Sequence, residues 1–442
     1  MPLITEQISN LINGVSQQPP SLRLASQCEV QENGMVTIAE GLKKRPPLEH
    51  VTKLHNKTDL DAKVHFINRD PSERYVVTIT SDQFDSAFTA DFSGTEMQVF
   101  SLDTPINPWD DAFAAPFGPS DFSRIVAGVS TGEMLEYIRT TDARDNLRLF
   151  TVADFTFVLN QSKVTAKSTD VSSSRAPEGI VFLKQASAAT SFKVFLDGSS
   201  VGSITADADA DTLVTNIANA MATSGFIITK FGSSNVHVTR EDGADFTLHA
   251  EAPEANMIAI KDSVVDFTDL PSRTKDGFTI KITGDPNSGT DDYWIKHNNQ
   301  ADEDVGEWVE TVEPGLANTI DPATMPIKMV RAAPNPWDEA FADDFGRPAF
   351  SLSQLEWTSR VAGDETTAPD PSFIGETLND MFFHKNRLGL LANENVILSE
   401  LGEHFNYYAT TATDLLDTDM IDLASPSNKV SILRHAIPFN EN

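Results

Sequence analysis

Apolar residues in this chain come in short runs rather than along a helical stripe, and that pattern limits the fold more than any other feature. The runs include VHFI at 64–67, YVVTIT at 75–80, MQVFSL at 97–102 and FTFVLN at 155–160. Each is rich in β-branched and aromatic residues, has the length of a strand and is bounded by turn formers, which predicts antiparallel sheet. The pattern returns at GFTIKITGD (277–285), DYWIK (292–296) and GEWVETV (306–312), and continues through FHKNRLGLLANENVILSEL at 383–401.

Between these stretches, residues 180–265 read as a separate compact unit. SFKVFLDGSSVGSIT predicts two strands around an Asp197-Gly198 turn, and FIITKFGSSNVHVTR predicts two more. A helix is expected between them. Asp209 and Asp211 stand where a cap and a first-turn acid belong, Leu213, Val214, Ile217, Ala220 and Met221 share one face, and Gly225 ends it. The fold class that follows is mainly β: an antiparallel β body with an inserted small α+β domain. The organisation is an extended docking arm at 1–50, the body's first part at 51–176, the insert at 177–271, and the continued body at 272–442. A body interrupted in this way must pair its flanks across more than a hundred residues, so its contact order is high and its folding slow.

The arm is polar, Gln-rich and punctuated by Gly14, Pro19, Pro20, Gly34, Gly41, Pro46 and Pro47, which suits a segment laid on a neighbouring surface. One internal repeat stands out: NPWDDAFAAPFG at 107–118 and NPWDEAFADDFG at 335–346 agree at nine of twelve positions, each followed by a related string, SRIVAG at 123–128 and SRVAG at 359–363. Two copies do not make a solenoid, which needs at least ~3. They place Trp109 and Trp337 in pseudo-equivalent loops, as packing plugs or as partner anchors.

Charge narrows the function. With 65 acidic and 33 basic residues in 442, the net charge of −32 argues against a broad surface that grips phosphates, which needs Lys and Arg to displace counterions. An acidic wall could instead let a duplex slide past; ordinary acidic solubility gives the same composition. The one basic island, LKKRPP at 42–47, reads either as a solvated turn or as a salt-bridging contact to an acidic neighbouring subunit through Lys43, Lys44 and Arg45. The single cysteine, Cys28, cannot form an intrachain disulfide or a Cys-based metal site within the subunit, so stability must come from packing or assembly. The first residues lack a basic segment followed by an apolar core, and no stretch approaches the ~18 apolar residues of a membrane span, so synthesis in a cytoplasm without a signal peptide or membrane insertion is expected.

Motifs that carry chemistry are weak. GVSTG at 128–132 matches the nucleophile-elbow string with Ser130 at its centre, but antiparallel surroundings are expected there and no oxyanion loop of the HGGG type exists. Asp207, Asp209 and Asp211 imitate the opening of a calcium loop, yet Thr212 stands at position six and Ala218 at position twelve, where Gly and Glu are needed; helix capping explains these acids. GDPNSGTDDYW at 284–294 suits a solvated hairpin turn or a hard-cation site. The nine histidines show no zinc spacing, and no phosphate-binding loop appears. No catalytic, metal or cofactor residue is therefore assigned, and no cofactor is expected.

ISNLINGVSQQPPSLRLASQCEVQENG followed by EGLKKRPPLEHV, then TVADFTFVLN at 151–160, TMP at 324–326 and PSFIGETLNDMFFHKNRLGLLANENVILS at 371–399, resemble in order the tail tubular protein B family, the tail nozzle proteins of short-tailed bacteriophages (podoviruses of the Autographiviridae type). The resemblance implies a non-enzymatic virion subunit in the tail, forming a hexameric, β-rich and propeller-like nozzle. It would dock under the gatekeeper ring of tail tubular protein A, adjoin the tail fibres, and pass double-stranded DNA through its lumen without specific binding. The family is usually longer, and SILRHAIPFNEN, where this chain stops, reads as a strand, so a fragment without the distal nozzle is expected. The second NPWDEAF copy departs from the family's pattern. The rival from another class is a tail-borne glycan or peptidoglycan hydrolase working through paired carboxylates. A receptor-binding spike would instead be a trimer with long fibrous repeats, which are absent.

Overall fold

A computed structural model describes residues 10–48, 61–71, 73–80, 97–102, 122–123, 125–127, 131–223, 225–284, 292–299, 305–332, 349–426, 429 and 431–437. The chain divides into two units. One comprises Met1–Lys57 with Asp111–Pro119, and the other Thr58–Asp110 with Ser120–Asn442.

In the first unit, the arm forms one hairpin, β1 (Gly34–Thr37) with β2 (Gly41–Lys44). Ahead of it, a parallel bridge between Val15 and Cys28 folds the chain back on itself, with the Cys28 thiol donating to the Gly14 carbonyl over 3.3 Å. A lone two-stranded hairpin has no covered face of its own. Leu22, Leu24, Val30, Ile38 and Leu48 accordingly stand exposed, Ile38 at 96%.

The second unit is mainly β. It opens with an up-and-down meander, β3 (Ala62–Asp70), β4 (Glu73–Thr80), β5 (Met97–Ser101) and β6 (Phe122–Ser123). Next come β7 (Ile125–Ala127), helix α1 (Thr131–Ile138), the single turn α2 (Ala143–Asn146), β8 (Leu147–Val152) and β9 (Phe155–Asn160). The insert follows, with β10 (Glu178–Leu183), β11 (Lys193–Leu196), β12 (Ser199–Ser200), helix α3 (Ala210–Met221), β13 (Phe226–Phe231), β14 (Asn235–Arg240), β15 (Leu248–Glu251) and β16 (Met257–Ile260). The chain then runs through β17 (Ser263–Val264), β18 (Thr279–Ile282), β19 (Tyr293–Asn299) and β20 (Gly306–Thr311), and returns to the body with β21 (Ile327–Ala332) and β22 (Ala349–Gln354). A second meander closes the order: β23 (Leu378–His384), β24 (Arg387–Ala392), β25 (Asn395–Leu398) and β26 (Ile421–Ala424).

Two sheets are sandwiched between cores, and their sequences show why. In the five-stranded sheet β7-β22-β21-β9-β8, Val158 faces a core with Val77, Val99, Met329 and Phe350, while its neighbours Phe157 and Leu159 face a second core with Trp357, Phe373, Leu390 and Tyr407. Successive side chains of a strand point to opposite faces, so a strand buried on both sides carries consecutive apolar residues, as Phe157, Val158 and Leu159 do in FTFVLN. The same holds in β13-β14-β10-β16. Val181 packs with helix α3 residues Leu213, Val214 and Ile217, whereas Ile180 joins Phe278, Ile280 and Ile295 of the adjoining sheet β17-β18-β19-β20.

Strands far apart in sequence meet in the body. β9 pairs antiparallel with β21 across the insert. The outgoing strap is zipped to the returning one, Ser168 N–H donating to the Thr319 carbonyl and Ser172 N–H to that of Leu316, both over 2.8 Å. Within the insert, Asp197 and Gly198 both adopt positive φ, 49° and 71°, the pair a tight two-residue hairpin requires. Helix α3 starts where expected: an Asp209 carboxylate oxygen accepts the Thr212 N–H at 2.9 Å, and the Asp211 carboxylate pairs with Lys230 at 2.7 Å.

Two expectations are corrected. SILRHAIPFNEN does not form a strand over its described residues 431–437; it lies irregularly, with Leu433 N–H donating to the Asn393 carbonyl and Asn379 donating to the Leu433 carbonyl. Ile432 and Ile437 stand 54% and 84% exposed, so the segment buries no apolar face against a sheet. The strand before GVSTG is not in purely antiparallel surroundings either: β7 pairs in parallel with β22, because the chain returns to that edge only after the insert and in the same direction. Helix α1 begins at Thr131, and Ser130 lies outside the described residues.

Candidate functional site

The predicted contact residues are placed as follows. Lys43 on β2 reaches Glu40 at 2.5 Å. Arg45 is clasped to Asn33, its Nε donating to Oδ1 at 2.8 Å and its backbone N–H to the Asn33 carbonyl at 2.9 Å. Lys44 stands exposed, with no ion pair among the described residues. Asn33 carries positive φ, 53°, which lets the chain turn tightly into the hairpin and hold the basic strand in one register. Both Trp109 and Trp337, with their repeats, lie outside the described residues, as does most of 284–294. The first repeat falls between β5 and β6 and the second between β21 and β22, so each joins two antiparallel neighbours.

Sequence reasoning missed a second, acidic surface. In the segment between β25 and β26, Glu310 of β20 grips residues 411–413: its carboxylate accepts the Thr411 hydroxyl (2.8 and 2.9 Å), the Ala412 N–H (2.7 Å) and the Thr413 hydroxyl (2.6 Å). The far side is held by Asp419, which accepts the Leu416 N–H at 2.7 Å and the Thr410 hydroxyl at 3.1 Å. From below, buried Arg387 donates to the carbonyls of Asp419 (2.6 Å) and Asp417 (3.1 Å). This bracing leaves Leu415 90% exposed, with Asp414 and Asp417 on either side. The only sequence signal was a Leu-Leu pair inside an acidic turn; the distant Glu310 gave none. Replacing Glu310 by Ala removes a charged acceptor with several donors. It is expected to loosen this loop by about 1.5–3 kcal/mol, read as faster amide exchange at Ala412 and Leu416 with the rest of the sheet unchanged.

The structure also gathers charged groups inside the body. Glu73 accepts from Arg69 and Arg331, each over 2.7 Å, joining the first meander to β21. Burial alone would raise its pKa, but the hydrogen bonds from Arg331 and Arg69 outweigh that and hold it below the usual value. Glu178 of β10 accepts from His237 on the neighbouring strand β14 (2.8 Å) and from Lys275 ahead of β18 (2.7 Å). The Glu73–Arg331 pair joins two sheets, whereas Glu178 ties neighbouring strands of one sheet to the segment that follows it. Among the described residues, no three His, Cys, Asp or Glu side chains gather as a metal site, and no helix is long and apolar enough to cross a membrane.

The described residues form a mainly β framework whose 410–419 segment is held by hydrogen-bonded carboxylates and presents an exposed leucine. Sequence comparison supplies the class. The chain belongs to the bacteriophage nozzle protein family, whose profile it matches over residues 1–104 and 123–442, which makes it a structural protein of the phage virion tail. It is 31% identical over 464 residues to the tail tubular protein gp12 of Escherichia phage T7, an alignment covering 100% of this chain and 52% of that protein. The chain therefore spans about half the length of the curated relative it matches. The family match breaks over 105–122, where the first NPWDDAF copy lies, and runs through the second.

Proposed function

We propose that this chain is a ring-forming subunit of the tail nozzle, a hexamer beneath the gatekeeper ring of tail tubular protein A and beside the tail fibres, retaining and then conducting double-stranded DNA into the host. The observation that carries the reading is the family match along nearly the whole chain. The net charge of −32 supports a lumen that repels the duplex rather than binding it. Two four-stranded meanders, β3–β6 and β23–β26, are of the kind propeller folds repeat, which supports a propeller-like body. The four-part division at 50, 176 and 271 belongs to the same proposal: an arm for docking, a split body and an insert. Lys43, Lys44 and Arg45 would face an acidic neighbour, and Trp109 and Trp337 would anchor subunit contacts. The function is geometric, with no catalytic step.

Cryo-electron microscopy of the protein assembled with its gatekeeper ring tests this. The expected result is a six-fold ring with an axial, acid-lined channel wide enough for a duplex. A monomer or trimer with a carboxylate-lined cleft would replace the nozzle by a hydrolase.

A further inference from the structure

We propose that the braced loop at 410–419 of one copy is the acidic neighbour that receives the basic strand at 42–48 of the next copy. This rests on the ring reading above and names the partner within it. The two surfaces complement each other in both charge and apolarity. The loop presents Leu415 and Leu416, 90% and 44% exposed, framed by Asp414 and Asp417, which have no ion pair among the described residues. The strand presents Leu42 and Leu48, 39% and 86% exposed, framing Lys43, Lys44 and Arg45. Both are held in shape before they meet: the loop by Glu310, Asp419 and Arg387, the strand by the Asn33–Arg45 clasp. A pre-ordered loop loses little conformational entropy on docking, which is what allows an exposed leucine to serve as an anchor. Two different patches on one chain make a head-to-tail contact, the kind that closes into a ring. The pairing also gives the isolated β1–β2 hairpin the apolar cover it lacks.

The test uses the full chain. Lys44→Glu in one protein and Asp414→Lys with Asp417→Lys in another should each weaken self-association, roughly tenfold or more by sedimentation. An equal mixture of the two should recover, because each altered strand then meets an altered loop. In a Cys28→Ser background, Lys44→Cys with Leu415→Cys should give disulfide-linked multimers on a non-reducing gel. The inference is overturned if the charge variants assemble as tightly as the parent, if the mixture fails to recover, or if the cross-link forms only within one chain; a ring that persists in those cases leaves the nozzle reading standing. A parent protein that stays monomeric at every concentration removes both.

Discussion

Replacing Asp370 by Ala should destabilise the protein by about 3–5 kcal/mol, the cost of stranding a buried charge. The charge is Arg360, whose side chain is fully buried and whose Nη2 donates to Asp370 over 2.6 Å. Its Nε and Nη1 find no acceptor among the described groups, and the guanidinium lies 5.0 Å from the centre of the Tyr408 ring. Among the described residues, Asp370 is its one counter-charge. Lys167, which shares that carboxylate at 2.7 Å, is partly exposed and can turn to water when Asp370 is lost; Arg360 cannot. Urea unfolding reads the effect as a lower midpoint with an unchanged slope. The double change Arg360→Met with Asp370→Leu should recover most of the loss, since an apolar pair of similar bulk carries no desolvation cost. If the single variant unfolds at the parent midpoint, the pair does not anchor the segment between β22 and β23.

Glu178→Gln is expected to cost about 2–3 kcal/mol at neutral pH and to flatten the loss of stability in acid. The carboxylate is 5% exposed and takes hydrogen bonds from His237 and Lys275 on one oxygen. Burial would raise its pKa; the bonds from His237 and Lys275 and their charges outweigh that and hold it below the usual glutamate value. A carboxylate depressed in the folded state binds protons more readily once unfolded. Its contribution is therefore complete above the unfolded value and is lost as pH falls through the lower folded one. Glu73 and Asp364 are depressed as well, Asp364 by hydrogen bonds from Thr367 and Thr366 that overcome its burial, so all three weaken the protein in the same direction as pH falls below the unfolded carboxylate values, about 4.3 for Glu and about 3.9 for Asp. Thermal melts of parent and variant between pH 7 and 3 check this: the gap between them should narrow toward acid. A constant gap would mean that Glu178 acts by packing alone.

The sequence alone determined a good deal. A strand buried on both faces carries consecutive apolar residues, as FTFVLN does at 157–159; a tight hairpin needs two residues tolerant of positive φ, and Asp197-Gly198 supplies them. Asp209 could be read as a cap because capping is local, joining a side chain to a backbone N–H three residues on. The family could be read because its strings run along the whole chain. What tertiary structure alone decided is everything that depends on groups far apart in sequence. Glu310 and Ala412 meet because β20 and the loop before β26 are brought together by separate sheets. Arg360 and Asp370 are close in sequence, yet their burial is set by Tyr408 and by a core drawn from both sides of the insert. The parallel partner of β7 is chosen by where a distant return strand enters the sheet. Hydrogen-bonding propensity and periodicity act over a few residues, whereas burial, ion pairing and register across an insertion depend on the closed fold.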